Sequence, residues 1–194
     1  MKTLMKVITY LVLPVAILFL VYLIFESVMQ PVRFNNEVEK RGAVAIERLK
    51  NIRTLQEAYK TKTGRYLSTT DSLIDFYKND SIVIVKQIGS MDDSLAVAQK
   101  RVTRENITIA VKDTLLKERA AFIDSLSFIP YSGGERIIME SIIRKVSGVD
   151  IPLFEAMMPF DILLKGLDRQ LIVNLKAEKE DMGRYPGYKV GDIN

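Results

Sequence analysis

An α+β fold, carried on an N-terminal transmembrane helix and a long amphipathic stalk helix, is predicted by three observations. Val7 to Phe25 reads VITYLVLPVAILFLVYLIF, without a single charge. Residues 34–63 repeat apolar side chains at helical spacing. Beyond them, short β-branched runs alternate with Gly and Pro punctuation and end in a further helical stretch, the pattern of a mostly antiparallel sheet covered by a C-terminal helix. The order is a short tail at 1–6, a signal anchor at 7–25, a linker at 26–33, the stalk at 34–63 and a globular head at 64–194.

The apolar run holds 19 residues, and as a helix it spans roughly 28 Å, long enough to cross a bilayer's hydrocarbon core. Pro14 is tolerated in such a helix, and Tyr10 and Tyr22 lie toward its ends, where amphipathic rings favour the interface. A cleaved signal peptide would need a small-x-small site, and ESVMQPVRF after Phe25 offers none. Lys2 and Lys6 favour a short N-terminus inside the cytoplasmic (inner) membrane, with the C-terminal domain exported to the periplasm.

Pro31 is expected to separate the anchor from the stalk. Along the stalk, Val38, Ala45, Ile52 and Tyr59 recur every seventh residue, with Leu49 and Leu55 between them. The opposite face carries Arg41, Glu47, Arg48, Lys50, Arg53, Glu57 and Lys60. The stripe Val38, Ala45, Leu49, Ile52, Leu55 and Tyr59 either packs on the chain's own head or forms a partner-binding seam, by self-association or with other envelope proteins. Gly64 stops the helix.

An anchor leading into an amphipathic helix and then LQEAYKTKTGRY, residues 55–66, resembles the type IV pilins and the type II secretion pseudopilins. In that family a similar Leu-x-x-Ala-x-x-x-Tyr stretch closes the long helix and a Gly-x-Tyr turn opens the head. The chain lacks the family's prepilin peptidase site, with no Gly-Phe junction before the apolar run and no Glu at its fifth position. The resemblance, covering about a third of the chain, therefore implies an anchored scaffold of similar shape.

In the head, Thr70 is the expected cap of a short helix over DSLIDFYKN. SIVIVKQI (81–88) and ENITIAVKDTLL (105–116) read as strands, with DDSLAVAQKR between them as helix or irregular link. FIDSL, ERIIMESIIRKV, VDIPLFEAMM and FDILLKG follow as further short strands, with a turn at 130–134. A helix over 167–180, capped by Asp168, covers them, and Gly183 and Pro186-Gly187 end it in a tight turn.

Composition removes many chemistries. With no Cys and no His, disulfides, thiolate and Ser-His-Asp centres and the common zinc sites are excluded. The net charge of +4 is dispersed, so no nucleic-acid partner is expected. Ser132-Gly133-Gly134-Glu135 reads as a hairpin turn, not a phosphate loop, and Asp92-Asp93 and Asp71/Asp75 lack the run of oxygens a calcium loop needs. No catalytic, cofactor-binding or metal residue is expected, and no small-molecule ligand. The function expected is a single-pass, bilayer-anchored structural or assembly component of a bacterial-type envelope complex (secretion, pilus-like or ion-driven transport accessory), acting through protein–protein contacts and not an enzyme. The alternative is an anchored enzyme or small-ligand receptor using a carboxylate or lysine centre in the head.

Overall fold

A computed structural model describes residues 12–88, 103–116 and 122–193. The tail at 1–6, the first residues of the apolar run and the segment at 92–101 lie outside the described residues. Helix α1, Leu13–Thr63, is 51 residues long and contains an apolar window long enough to cross a membrane, none of it buried within the fold. The linker expected at 26–33 is helical, and Pro31 sits inside α1. Pro31 is exposed and offers no N–H to the carbonyl four residues back, which leaves a gap in the helix ladder there. Packing on either side holds the helix through the gap: Gln30 Nε2 donates to Asp168 Oδ2 at 2.9 Å, and Phe34 is buried. Gly64, with φ 78°, ends α1 and its N–H reaches the Lys60 carbonyl at 2.7 Å.

The head is α+β. Helix α2, Thr70–Asn79, is capped by Thr69 rather than Thr70: the extended Thr69 accepts from Ser72 N at 3.3 Å, while Thr70 is already helical and buried. Strands β1, Ser81–Ile88, and β2, Thr103–Ala110, form an antiparallel pair with Ser81 opposite Ala110. The strand expected to continue to Leu116 stops at Ala110 and turns into a single helical turn, α3, Val111–Thr114. Lys112-Asp113-Thr114 breaks the apolar alternation, and the turn drives Val111 fully into the core beneath α2. FIDSL is likewise no strand but begins as one tight helical turn at 122–125, with Ser125 Oγ donating to the Phe122 carbonyl at 2.8 Å.

Strands β3, Ile138–Val146, β4, Val149–Pro159, and β5, Gly187–Gly191, form a second antiparallel sheet in the order β3-β4-β5. Ser147 and Gly148, both at positive φ (52° and 85°), make the two-residue turn that the right-handed twist of a hairpin favours. FDILLKG, expected as a strand, is instead a helical turn, α4, Phe160–Leu163, because Pro159 closes β4 and the turn buries Phe160, Leu163 and Leu164 together. Helix α5, Arg169–Asp181, follows, with Asp168 Oδ1 accepting from Leu171 N at 3.0 Å as expected of its cap.

Helix α1 is fixed to the head at two levels, its middle and its Thr63 end. Arg41 donates to the carbonyls of Leu163 and Lys165, and Tyr188 of β5 lies on Gly42. At the Thr63 end Tyr66 stacks on Phe154, ring centroids 4.6 Å apart. Strand β4 therefore runs along α1, from the end at Thr63 back toward the apolar end, and the β3–β4 turn lies past Tyr66. From Phe25 to Thr63 the helix rise is roughly 57 Å.

Candidate interaction site

Ala45, Leu49, Ile52 and Leu55 are buried, and Val38 and Tyr59 are half-buried against the same core. The stripe expected to offer a partner seam is thus covered by the chain's own head, whose Phe76, Phe154, Met158 and Phe160 are buried in that core. A helix of this length with one apolar face gains far more by burying it locally than by holding it open to water. Arg48 adds polar closure on this face by donating to the Ser125 and Phe128 carbonyls.

The uncovered apolar surface lies elsewhere. Beyond the reach of β5, which stops at Glu155, strands β3 and β4 continue as a two-stranded ribbon to the Ser147-Gly148 turn. Cross-strand partners share a face. Ile142 with Leu153, Arg144 with Ile151 and Val146 with Val149 line one face, and Ile143 with Pro152 and Lys145 with Asp150 line the other. Val149 is 63% exposed and Ile143 62%. Adjacent Ile142-Ile143 puts aliphatic side chains on both faces, so no single-sided packing within the head could cover them. That doublet is the signal of the two-sided ribbon in the sequence.

A cleft of about 300 Å³ runs beside the β3 edge of this ribbon, walled by Tyr59 and residues 65–68 on one side and Ser141, Ile142 and Ile143 on the other. Its geometry depends on Gln56, fully buried, whose side-chain amide donates to the Leu67 carbonyl at 2.7 Å and accepts from Leu67 N at 3.0 Å. The Ser141 hydroxyl crosses the cleft floor to the Tyr66 carbonyl at 3.4 Å. Lys60 lies over the Tyr66 ring at 4.9 Å, and Arg65 and Lys145 make no ion pair among the described residues. No carboxylate lines the cleft.

A broader groove of about 610 Å³ lies between α1, α5 and β5, lined by Val38, Phe160, Leu175, Tyr185 and Tyr188 with Lys179 and Arg184 at its rim. Its tyrosines are pushed up in pKa by burial, and Lys189 beside them is held charged by Glu155 and Asp192 against the opposing effect of its own desolvation. Arg48 is lowered by its own desolvation, while three surface groups shift the other way, toward their charged forms. Asp71 is held below the usual carboxylate range by Arg136 and Ser127, Asp80 by Lys62 and the Ser81 N–H, and Lys176 is raised by Asp161. These shifts deepen the ordinary charge state near neutral pH, whereas acid–base catalysts need carboxyls raised or lysines lowered.

Asp71 and Asp75 have structural roles, while Asp92-Asp93 lies outside the described residues. Asp71 holds Arg136 and Ser127, and Asp75 accepts from Asn79. The Ser132 hydroxyl accepts from the N–H groups of Gly134 and Glu135, closing the turn on itself as a hairpin-like loop. Among the described residues no group of three acidic side chains converges as a metal site would require. Comparison with family models, with curated proteins and with solved structures gives no match.

Proposed function

We propose that this protein is a single-pass membrane-anchored assembly component of an envelope complex, non-enzymatic, which presents the β3–β4 ribbon to another protein at a fixed height above the bilayer. The observation that carries the reading is the continuity of α1. One helix without a break joins an exposed apolar segment to a head whose uncovered apolar ribbon lies at the opposite end. With the apolar segment in lipid, the N-terminus inside and the head exported, the helix rise places the ribbon on the order of 50 Å or more from the membrane surface. Gln30–Asp168 and Arg41–Leu163 fasten the head to the helix at its base, so the height is set by a packed structure and not by a flexible linker. Asp71 and Lys176 are held in their ordinary charge states by Arg136 and Asp161, as ion-paired surface groups are. The resemblance of residues 55–66 to the pilins implies a scaffold of the same kind.

The test is a photoreactive residue at Val149 in the full chain in its native membrane, followed by mass spectrometry of crosslinked products. A discrete crosslink to a second protein is expected from Val149 and not from a control site at Lys50 on the exposed face of α1. A chain that stays monomeric, with no crosslink from Val149, overturns the reading.

A further inference from the structure

The cleft beside β3 carries more specific information than an apolar patch. Pro152 lacks an N–H and lies opposite Ile143. Within β4 the Phe154 and Met158 carbonyls face β5, since a Cβ on Gly191 or Gly187 would strike them. With a period of two, Pro152 also faces that side, away from β3. The Ile143–Pro152 pair is therefore a non-hydrogen-bonded one, and the N–H and C=O of Ile143, and those of Ser141 and Lys145 two residues to either side, point away from β4, at Ser141 and Ile143 along the cleft. None of these three residues makes a further backbone–backbone hydrogen bond among the described residues. The β4 side of the ribbon is blunted by the proline; the β3 side is an open edge with an unbroken register and no bulge.

We propose that this edge takes an extended, acidic segment of another polypeptide, which adds to the sheet as a strand antiparallel to β3 in the cleft against residues 65–68. The inference rests on the presentation role above and names the chemistry of the partner. Three alternatives fit less well. Lipid cannot cover the ribbon deeply, because open sheet edges do not enter hydrocarbon. A second copy would bring the same Lys60 and Arg65 to the edge, so that like charges meet across the added pair. A basic segment would meet Lys60 and Arg65 with no carboxylate in the lining. An added strand satisfies the outward backbone groups, covers Ile142 and Ile143 with its own alternating apolar side chains, and pairs its carboxylates with those cations.

The experiment uses the full chain in lipid nanodiscs and a terminally blocked peptide of four Val-Glu repeats. Controls are four Val-Lys repeats and the Val-Glu peptide N-methylated at alternate residues. Binding is read by titration, and amide protection at Ile143 and Lys145 by hydrogen exchange. Strand addition predicts that only the unmodified acidic peptide binds and protects both amides. It also predicts that Arg65→Glu weakens binding roughly tenfold at low salt and less at high salt. Ile143→Pro, which removes an N–H that no ladder bond uses, should leave the fold intact and weaken binding roughly two- to tenfold, the range for one main-chain hydrogen bond. Equal binding of all three peptides would overturn strand addition in favour of apolar adsorption. Protection of β3 that rises with protein concentration and not with peptide would replace the partner by a second copy. No binding and no protection would overturn the proposal outright, while a Val149 crosslink to another protein would still leave the presentation role standing.

Discussion

The ring of Tyr188 rests on Gly42 in the middle of α1, so that a Cβ at that position would lie 2.9 Å from Cζ and closer still to the hydroxyl. The same ring meets Phe160 edge-on at 5.4 Å. This contact seats β5 and α4 on the helix and explains a glycine inside a long helix, where Ala would otherwise be favoured by about 1 kcal/mol. Gly42→Ala is expected to reverse the usual sign and destabilise the head by about 1–3 kcal/mol through overpacking. In a Tyr188→Leu background the same substitution should become neutral or stabilising. Urea midpoints of the four proteins check both statements, and a raised midpoint for Gly42→Ala alone would show that the ring moves aside freely.

Gln56 is the second fastening. Its amide satisfies both backbone groups of Leu67 and also lies 3.3 Å from the Met139 sulfur. Gln56→Leu keeps the volume but orphans a donor and an acceptor, each worth about 1–3 kcal/mol when buried unpaired. A loss of about 2–4 kcal/mol is expected, with faster hydrogen exchange in residues 65–68 before the rest of the head. Uniform loosening of the whole head would mean that Gln56 acts only through packing.

The long apolar helix, the stalk and most strands were legible because they rest on local composition and periodicity. Val7 to Phe25 has no charge, the 34–63 face repeats at helical spacing, and SIVIVKQI coincides with β1. Three errors share a cause: tertiary packing overrode a local signal. Pro31 breaks isolated helices but is braced here by Gln30 and Phe34. FDILLKG is apolar enough for a strand, yet a helical turn buries Phe160, Leu163 and Leu164 at once. Strand β5 has Val190 as its one β-branched residue and exists because β4 offers it an edge. The open edge of β3 is legible only once Pro152 is known to lie opposite Ile143, a fact of register that no spacing in the sequence carries.

Acid should loosen the head through Asp71 and Asp80. Both carboxyls are depressed by partners in the folded state, Asp71 first by Arg136 and Asp80 first by Lys62. A depressed folded pKa contributes stability that is full above the unfolded value of about 3.9 and is lost as pH falls through the folded value. The urea midpoint should therefore be flat from neutral pH down to about pH 5 and fall below about pH 4. In Asp71→Asn with Asp80→Asn the neutral-pH midpoint should be lower and the acid limb shallower. An acid limb as steep as that of the parent would place the acid sensitivity on other carboxylates.

Charge placed at the ribbon tip should separate stability from binding. Val149 and Val146 pair across the tip, both exposed, and touch nothing in the core cluster. Val149→Asp removes an aliphatic surface without opening a cavity, so its effect on unfolding should stay within about 0.5 kcal/mol, as for ordinary surface substitutions. Ile52→Asp, by contrast, buries an unpaired carboxylate in the core and should prevent stable folding. If the ribbon is the contact surface, Val149→Asp abolishes capture of the crosslinked protein by a chain whose urea midpoint is unchanged. If capture survives Val149→Asp and Val146→Asp together, the partner is bound by another part of the head, and the exposed ribbon is an aliphatic surface without a role in recognition.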